Sequence, residues 1–315
     1  MDTPEISVVV PTRGRETRLA FALESLAGQT LARERFEVIV VRDRDAVGPL
    51  APIPEGLRAR YLTQAEVSGP TVKRNRGWRA AEGDLVAFTD DDCRASPGWL
   101  AALVGASDGD TTFLQGCTEP DPDELHLTGG FARTQRVDSA TGWYETCNMA
   151  YPRALLARLG GFDEAFDFGG EDTDLAYRAI EAGAAPLFVA DALVWHAVLS
   201  RSFARALRDT RRWPDMAAVL ARHPQLHDAL YRRHFWNNAH GALFATLLCL
   251  AVARGRPGPS LLALAPYLAV RVNWRQPRVR GIARNLLTLP SMATIDAIEM
   301  VTRLPSAIRH RVPVI

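Results

Sequence analysis

The chain has 315 residues, 47% of them hydrophobic, with a formal net charge of +1, enough apolar material for one large core or two smaller ones. The near-neutral total hides an asymmetry: residues 1–196 carry 19 Lys/Arg against 31 Asp/Glu, whereas residues 197–315 carry 18 against 5. The acidic front half excludes a nucleic-acid surface there, and no uninterrupted apolar run reaches the roughly 18–20 residues of a spanning helix.

In chain order, Ile6–Val10 is a β-branched run that reads as a buried strand. A polar turn over Thr12–Arg15 leads to a helix from Thr17 to about Gly28. Phe36–Val41 is a second buried strand, closed by the charged run Arg42–Asp45. After a loop containing Pro49, Pro52 and Pro54, Arg58–Leu62 is a further strand. Gly69-Pro70 breaks the chain before a helix over Thr71–Ala81, and Leu85–Phe88 is a strand that delivers Asp90-Asp91-Asp92 at its carboxyl end. This alternation predicts an α/β fold with a mainly parallel central sheet flanked by helices. Ligands bind beyond the carboxyl ends of such strands, where Asp43 and Asp90–Asp92 both fall.

Trp99–Val104 is a short helix, and 108–147 is expected to be irregular. Pro152–Leu159 is a helix stopped by Gly160-Gly161, and Phe166–Gly170 is an aromatic, glycine-rich loop. Asp172–Ala182 is an amphipathic helix and Leu187–Val189 a strand. Beyond His196 the pattern becomes helical, with apolar runs over Ala242–Ala253 and Leu261–Val270, then Arg271, Arg275 and Arg278. Residues 1–196 and 197–315 are therefore expected to be separate regions. The second offers two readings that stay open: an anchor on an anionic membrane surface, or a helical oligomer interface.

Four cysteines without CxxC spacing read as reduced thiols, and MDTPEISVVVP lacks the features of a signal peptide. The expected location is cytoplasmic, with a peripheral position on the membrane as the variant.

Three constellations carry chemistry. Two carboxylates one residue apart, Asp90 and Asp92, can grip one hard divalent cation, which in turn bridges to phosphate oxygens. Glu171-Asp172 opens a helix after the glycine-rich loop, where a positioned carboxylate can serve as general base for a hydroxyl. Trp195-His196 follows a strand, and a neutral imidazole there can complete a metal's ligand set. Lys73, the single lysine, lies with Arg74 and Asn75 on a helix able to approach a diphosphate.

VVVPTRGR, LESLAGQT, VIVVRDRD, TVKRNRGW, FTDDDC, CNMAYPRALLARLGGFDEAF, GGEDTDLAYRAIEAGA and VWH occur in one order over residues 5–196. Together they resemble the family 2 glycosyltransferases of the GT-A fold. That resemblance implies transfer of a sugar, with inversion, from a nucleoside-diphosphate sugar to an acceptor hydroxyl. It implies a divalent cofactor, Mn²⁺ or Mg²⁺, and a glycan, lipid-linked or small-molecule acceptor in cell-surface glycan or glycolipid synthesis. It places Pro11, Thr12, Arg13, Asp43, Lys73, Asn75, Asp90, Asp91 and Asn148 around the nucleotide-sugar. Asp92, Asp90 and His196 become the metal set, Asp172 the catalytic base and Glu171 its catalytic neighbour. Arg42 stands where the family more often carries an acid. The rival readings are a metal-dependent nucleotidyltransferase and an inactive nucleotide-sugar-binding protein.

Overall fold

The computed structural model describes residues 3–45, 49–166, 169–210, 216–272 and 279–314. Asp167 and Phe168 of the glycine-rich loop, and Arg275 and Arg278, lie outside them. The chain forms two compact units, one of residues 1–128 and 133–199 and the other of 129–132 and 200–315.

The first unit is built on strands β1 (Ile6–Thr12), β2 (Phe36–Asp43), β3 (Ala59–Gln64), β4 (Leu85–Thr89), β5 (Cys93–Ala95), β6 (Thr112–Pro120), β7 (Asn148–Pro152) and β8 (Ala185–His196). Its helices are α1 (Glu16–Ala27), α2 (Pro70–Arg79), α3 (Trp99–Ala106), α4 (Arg153–Leu159) and α5 (Glu171–Glu181). The strands form one sheet in the order β3-β2-β1-β4-β7-β6-β8-β5. β3, β2, β1 and β4 run parallel, and β7 enters antiparallel between β4 and β6. Every residue of β1, β2 and β4 is buried, the environment in which the stiff Val and Ile side chains of a two-sided parallel sheet are favoured.

The mainly parallel sheet agrees with the expectation, but 108–147 is not wholly irregular. It supplies β6, and β7 follows immediately where only a helix start was expected. β8 runs twelve residues rather than three, and β5 was not anticipated. These strands owe their state to partners far along the chain. Leu114 and Gln115 pair with Ala150 and Met149 on one side, and Leu114 with Leu187 on the other. Trp99, Tyr151, Phe36, Phe88 and Phe113 are the largest fully buried side chains, with Phe113 stacked on Tyr151 at 5.1 Å and Phe162 edge-on to Phe88 at 5.1 Å.

Gly161 shows why the turn after α4 is written GGF. Its φ is 80°, and a Cβ there would lie 2.4 Å from Trp78 Nε1 and 2.5 Å from Asn75 Oδ1. Gly161→Ala is therefore expected to cost at least about 1–2 kcal/mol from the left-handed backbone alone, seen as a lowered melting temperature.

The second unit contains α6 (Phe203–Asp209), α7 (Met216–Arg222), α8 (Asn238–Ala253), α9 (Pro257–Ala263), α10 (Ala265–Arg271) and α11 (Val279–His310). Among the described residues no helix is long and apolar enough to cross a membrane. Its interior is partly polar: Asp296 accepts from Tyr267 Oη at 2.5 Å and from Arg271, and His240 Nε2 lies 3.2 Å from Glu299. His240, Asp296 and Glu299 sit close enough to share an ion. Arg271, however, already neutralises Asp296, and Arg303 lies 3.9 Å from Glu299, so this is a charge-compensated helix contact.

Candidate active site

Three strand ends and one helix start build the site. β1 ends at the buried Pro11 and Thr12, β2 at Asp43, and β4 at Thr89 just before the aspartate triplet. The first turn of α5 brings Glu171 and Asp172, after Gly170 at φ 97°, a backbone that glycine adopts without a Cβ penalty.

The three aspartates differ in their surroundings. Asp91 is fully buried, accepts from Thr12 Oγ1 at 2.6 Å and pairs with Arg15. Burial pushes its carboxyl up to about 6, against the pull of Arg15. Asp91 is thus the member tied to β1. Asp92 takes the other arm of the Arg15 fork and faces His196, whose Nε2 lies 3.8 Å from Asp92 Oδ1. Asp90 is the most open, with 26% of its side chain exposed, and accepts from Arg74 at 2.9 Å. Burial would raise the Asp90 carboxyl, but Arg74, with His196 and Arg15, holds it below the ordinary range.

A divalent cation fits Asp92 and His196. His196 Nδ1 lies 2.8 Å from the Ala197 carbonyl oxygen, which can only accept, so Nδ1 is the donor and Nε2 is the nitrogen turned to the Asp92 side. Cys93 completes the group on geometry, but burial pushes its thiol well up, with Cys147 adding to the effect, and a protonated thiol is a poor ligand. Asp92 and His196 are the donors of the right chemistry.

Arg74 joins the two acidic motifs. It is buried, with one guanidinium nitrogen on Asp90 and the other on Glu171, each at 2.9 Å. The other oxygen of Glu171 accepts from the Gly169 amide at 3.0 Å. Glu171, 5% exposed, therefore holds the glycine turn and Arg74 in place. Asp172 is the half-buried member and accepts from the Thr173 amide at 2.8 Å. Burial and the neighbouring Glu171 push its carboxyl up to about 8, although Arg74 opposes them. A carboxyl poised there is suited to taking a proton near neutral pH.

The remaining candidate residues divide. Asp43 and Lys73 form a buried pair at 2.8 Å, with Ser68 donating to the other Asp43 oxygen. Arg13 is exposed. The polar atoms of Asn75 and Asn148 are committed to the scaffold. Asn75 bonds Phe162, Glu164 and Trp78. Asn148 donates to the Cys117 and Ala192 carbonyls and accepts from Trp99. The structure thus brings Thr12, Asp90–Asp92, Glu171, Asp172 and His196 into one charged network, while Asn75 and Asn148 brace the loop and sheet behind it.

Sequence reasoning missed Arg15 and Glu145 and left Arg74 unassigned. Arg15 lies three residues past β1, where its charge can reach the triplet. Glu145 accepts from Gln115, Gln135 and Thr141, with no cation paired to it among the described residues, and burial raises its carboxyl. Its electrostatic reach extends to Asp172. Tyr144 beside it holds φ 54° and packs edge-on against Phe113 and Tyr177. Thr173 donates to the Trp143 carbonyl at 2.7 Å, which ties this segment to α5. Only an aromatic-acidic run, WYE, hinted at it in the sequence.

A mainly parallel sheet with acids at its carboxyl ends and a carboxylate pair opening a helix is the GT-A fold. Over its whole length the chain matches solved structures of that fold. The mannosyltransferase PcManGT of Pyrobaculum calidifontis, in complex with GDP-Man and Mn²⁺, aligns with a TM-score of 0.59 at 20% identity, covering 99% of this chain and 88% of that one. TarS of S. aureus in complex with UDP aligns at 0.51 and 20%, covering 98% and 92%. Residues 7–155 match the family described as Glycosyl transferase family 2. The validoxylamine A glucosyltransferase of Streptomyces hygroscopicus subsp. limoneus is 31% identical over 218 residues, 56% of this chain and 48% of that protein. The pre-mycofactocin glycosyltransferase of Mycobacterium tuberculosis (strain H37Rv) is 29% identical over 211 residues, 61% and 42%. The chain spans about half the length of these relatives. The match over residues 7–155 and these relatives support a family 2 glycosyltransferase.

Proposed function

We propose that the chain transfers a sugar from a nucleoside-diphosphate sugar to an acceptor hydroxyl with inversion at the anomeric carbon. The observation that supports this reading is the Arg74 bridge between Asp90 and Glu171, which ties the helix start carrying the base candidate Asp172 to the aspartate triplet. Asp172 takes the acceptor's hydroxyl proton as the acceptor oxygen forms its bond to the anomeric carbon. The bond from that carbon to the diphosphate oxygen breaks on the opposite side, and its electron pair leaves with the nucleoside diphosphate. Thr12 and Arg15 hold Asp91 and Asp92, and Arg74 fixes Glu171 and Asp90.

A divalent cation held by Asp92 and His196, near Asp90, would neutralise charge on the departing diphosphate when bound. Relatives of this fold were solved with GDP-Man and Mn²⁺ and with UDP, which supports a nucleoside-diphosphate donor without choosing its base or sugar. Asp43, with Lys73, is the candidate for base recognition, and Pro11, Thr12 and Arg13 for the nucleotide's near edge. The acceptor is a hydroxyl-bearing glycan, lipid-linked or small molecule.

The test is a thermal-shift panel of nucleoside diphosphates and nucleotide sugars, with and without Mn²⁺. At least one nucleoside diphosphate should raise the melting temperature in a Mn²⁺-dependent way. His196→Ala should raise the Mn²⁺ needed by at least about tenfold. A panel with no metal-dependent shift would overturn the reading.

A further inference from the structure

The second unit turns an apolar face outward. α8 buries Ala239, Ala242, Leu243 and Thr246 on one side, and Leu243 packs in a small core with Tyr267 and Met300. Away from that side the helix leaves Leu247, Leu248 and Val252 at 52%, 58% and 75% exposure. Leu248 and Val252, four residues apart, share one flank of the helix, and Leu247 lies between that flank and the buried side. Immediately beyond, α9 carries Leu261 and Leu262 at 71% and 76%. Arg254 and Arg256, both exposed, separate the two groups. Arg254 adopts φ 49° just past α8, a left-handed position that glycine favours, so a cation occupies the tip despite a conformational cost.

We propose that this α8–α9 tip seats on an anionic membrane surface, with the leucines and Val252 entering the headgroup boundary and Arg254 and Arg256 meeting lipid phosphates. Contiguous exposed apolar side chains mark an interaction surface, and the charge decides between occupants. Residues 197–315 carry 18 basic side chains against 5 acidic. A second copy docked on the same patch would bring arginines against arginines, and such like-charge juxtaposition costs energy. An anionic lipid surface instead contributes about 1 kcal/mol per nearby arginine. With no helix among the described residues able to span a bilayer, the attachment is one that lies on the surface.

The proposal stands apart from the transfer reaction and is tested without it. The full chain is floated with vesicles of phosphatidylcholine alone or with phosphatidylglycerol added. It should rise with the anionic vesicles at low salt and release at high salt. Leu261→Asp/Leu262→Asp and Arg254→Gln/Arg256→Gln should each reduce partitioning by about tenfold or more, with unchanged circular dichroism, since all four side chains are exposed. Absence of flotation at low salt, or equal flotation of both variants and the parent, would overturn it. So would sedimentation showing a dimer that the leucine variant dissolves while vesicles bind nothing.

Discussion

Asp172→Asn is expected to lower the transfer rate by roughly 10²–10⁴-fold while leaving the fold and nucleoside-diphosphate binding intact. The amide fills the same space at the start of α5 but cannot take a proton from the acceptor. The same substitution separates this explanation from structural damage. Burial and Glu171 raise the Asp172 carboxyl to about 8 in the folded protein, above its ordinary value near 3.8. Protonation is therefore favoured by folding. The stability linked to this group is full below about pH 4 and is lost as pH climbs toward 8. An asparagine has no proton to lose, so the variant should gain in melting temperature relative to the parent between pH 5 and 9. The parent's transfer rate should rise over the same interval as the base ionises. A variant that transfers at the parent's rate, or that is less stable than the parent at pH 9, contradicts the role assigned to Asp172.

Arg74→Met is the second large effect. Arg74 is the cation between Asp90 and Glu171, and its loss leaves two carboxylates facing one another in a largely buried place. Breaking a buried pair from one side costs about 3–5 kcal/mol, and a sizeable fall in melting temperature should follow, together with loss of transfer. Arg74→Lys should recover only part of it, because one ammonium cannot serve both carboxylates in the geometry of a planar fork. Adding Glu171→Gln to Arg74→Met removes one of the orphaned charges and should restore part of the stability but none of the transfer. Additive losses in that double variant would show that the two residues are not coupled.

Much of this molecule was legible in its sequence because its parallel strands are signalled locally. Ile6–Val10, Phe36–Val41 and Leu85–Phe88 are β-branched or apolar runs buried on both faces, and their ends locate Thr12, Asp43 and the triplet. β6 was not legible. Thr112–Pro120 mixes Thr, Gln, Gly and Glu, and becomes a strand by lying between β7 and β8. Asn75 and Asn148 show the other limit. A sequence reveals their capacity for hydrogen bonds, but only the fold reveals that Phe162, 87 positions on, and Ala192, 44 positions on, use it. The same holds for Arg15 and Arg74, whose partners lie across the sheet's edge rather than beside them in the chain.

The most direct test of the site is chromatography of the nucleotide released when the full chain meets its donor, acceptor and Mn²⁺. A glycosyl-transfer site releases nucleoside diphosphate, at a rate that collapses in Asp172→Asn and in Asp92→Asn. Release of pyrophosphate, or nucleoside diphosphate formed equally fast by the Asp172→Asn variant, would contradict it.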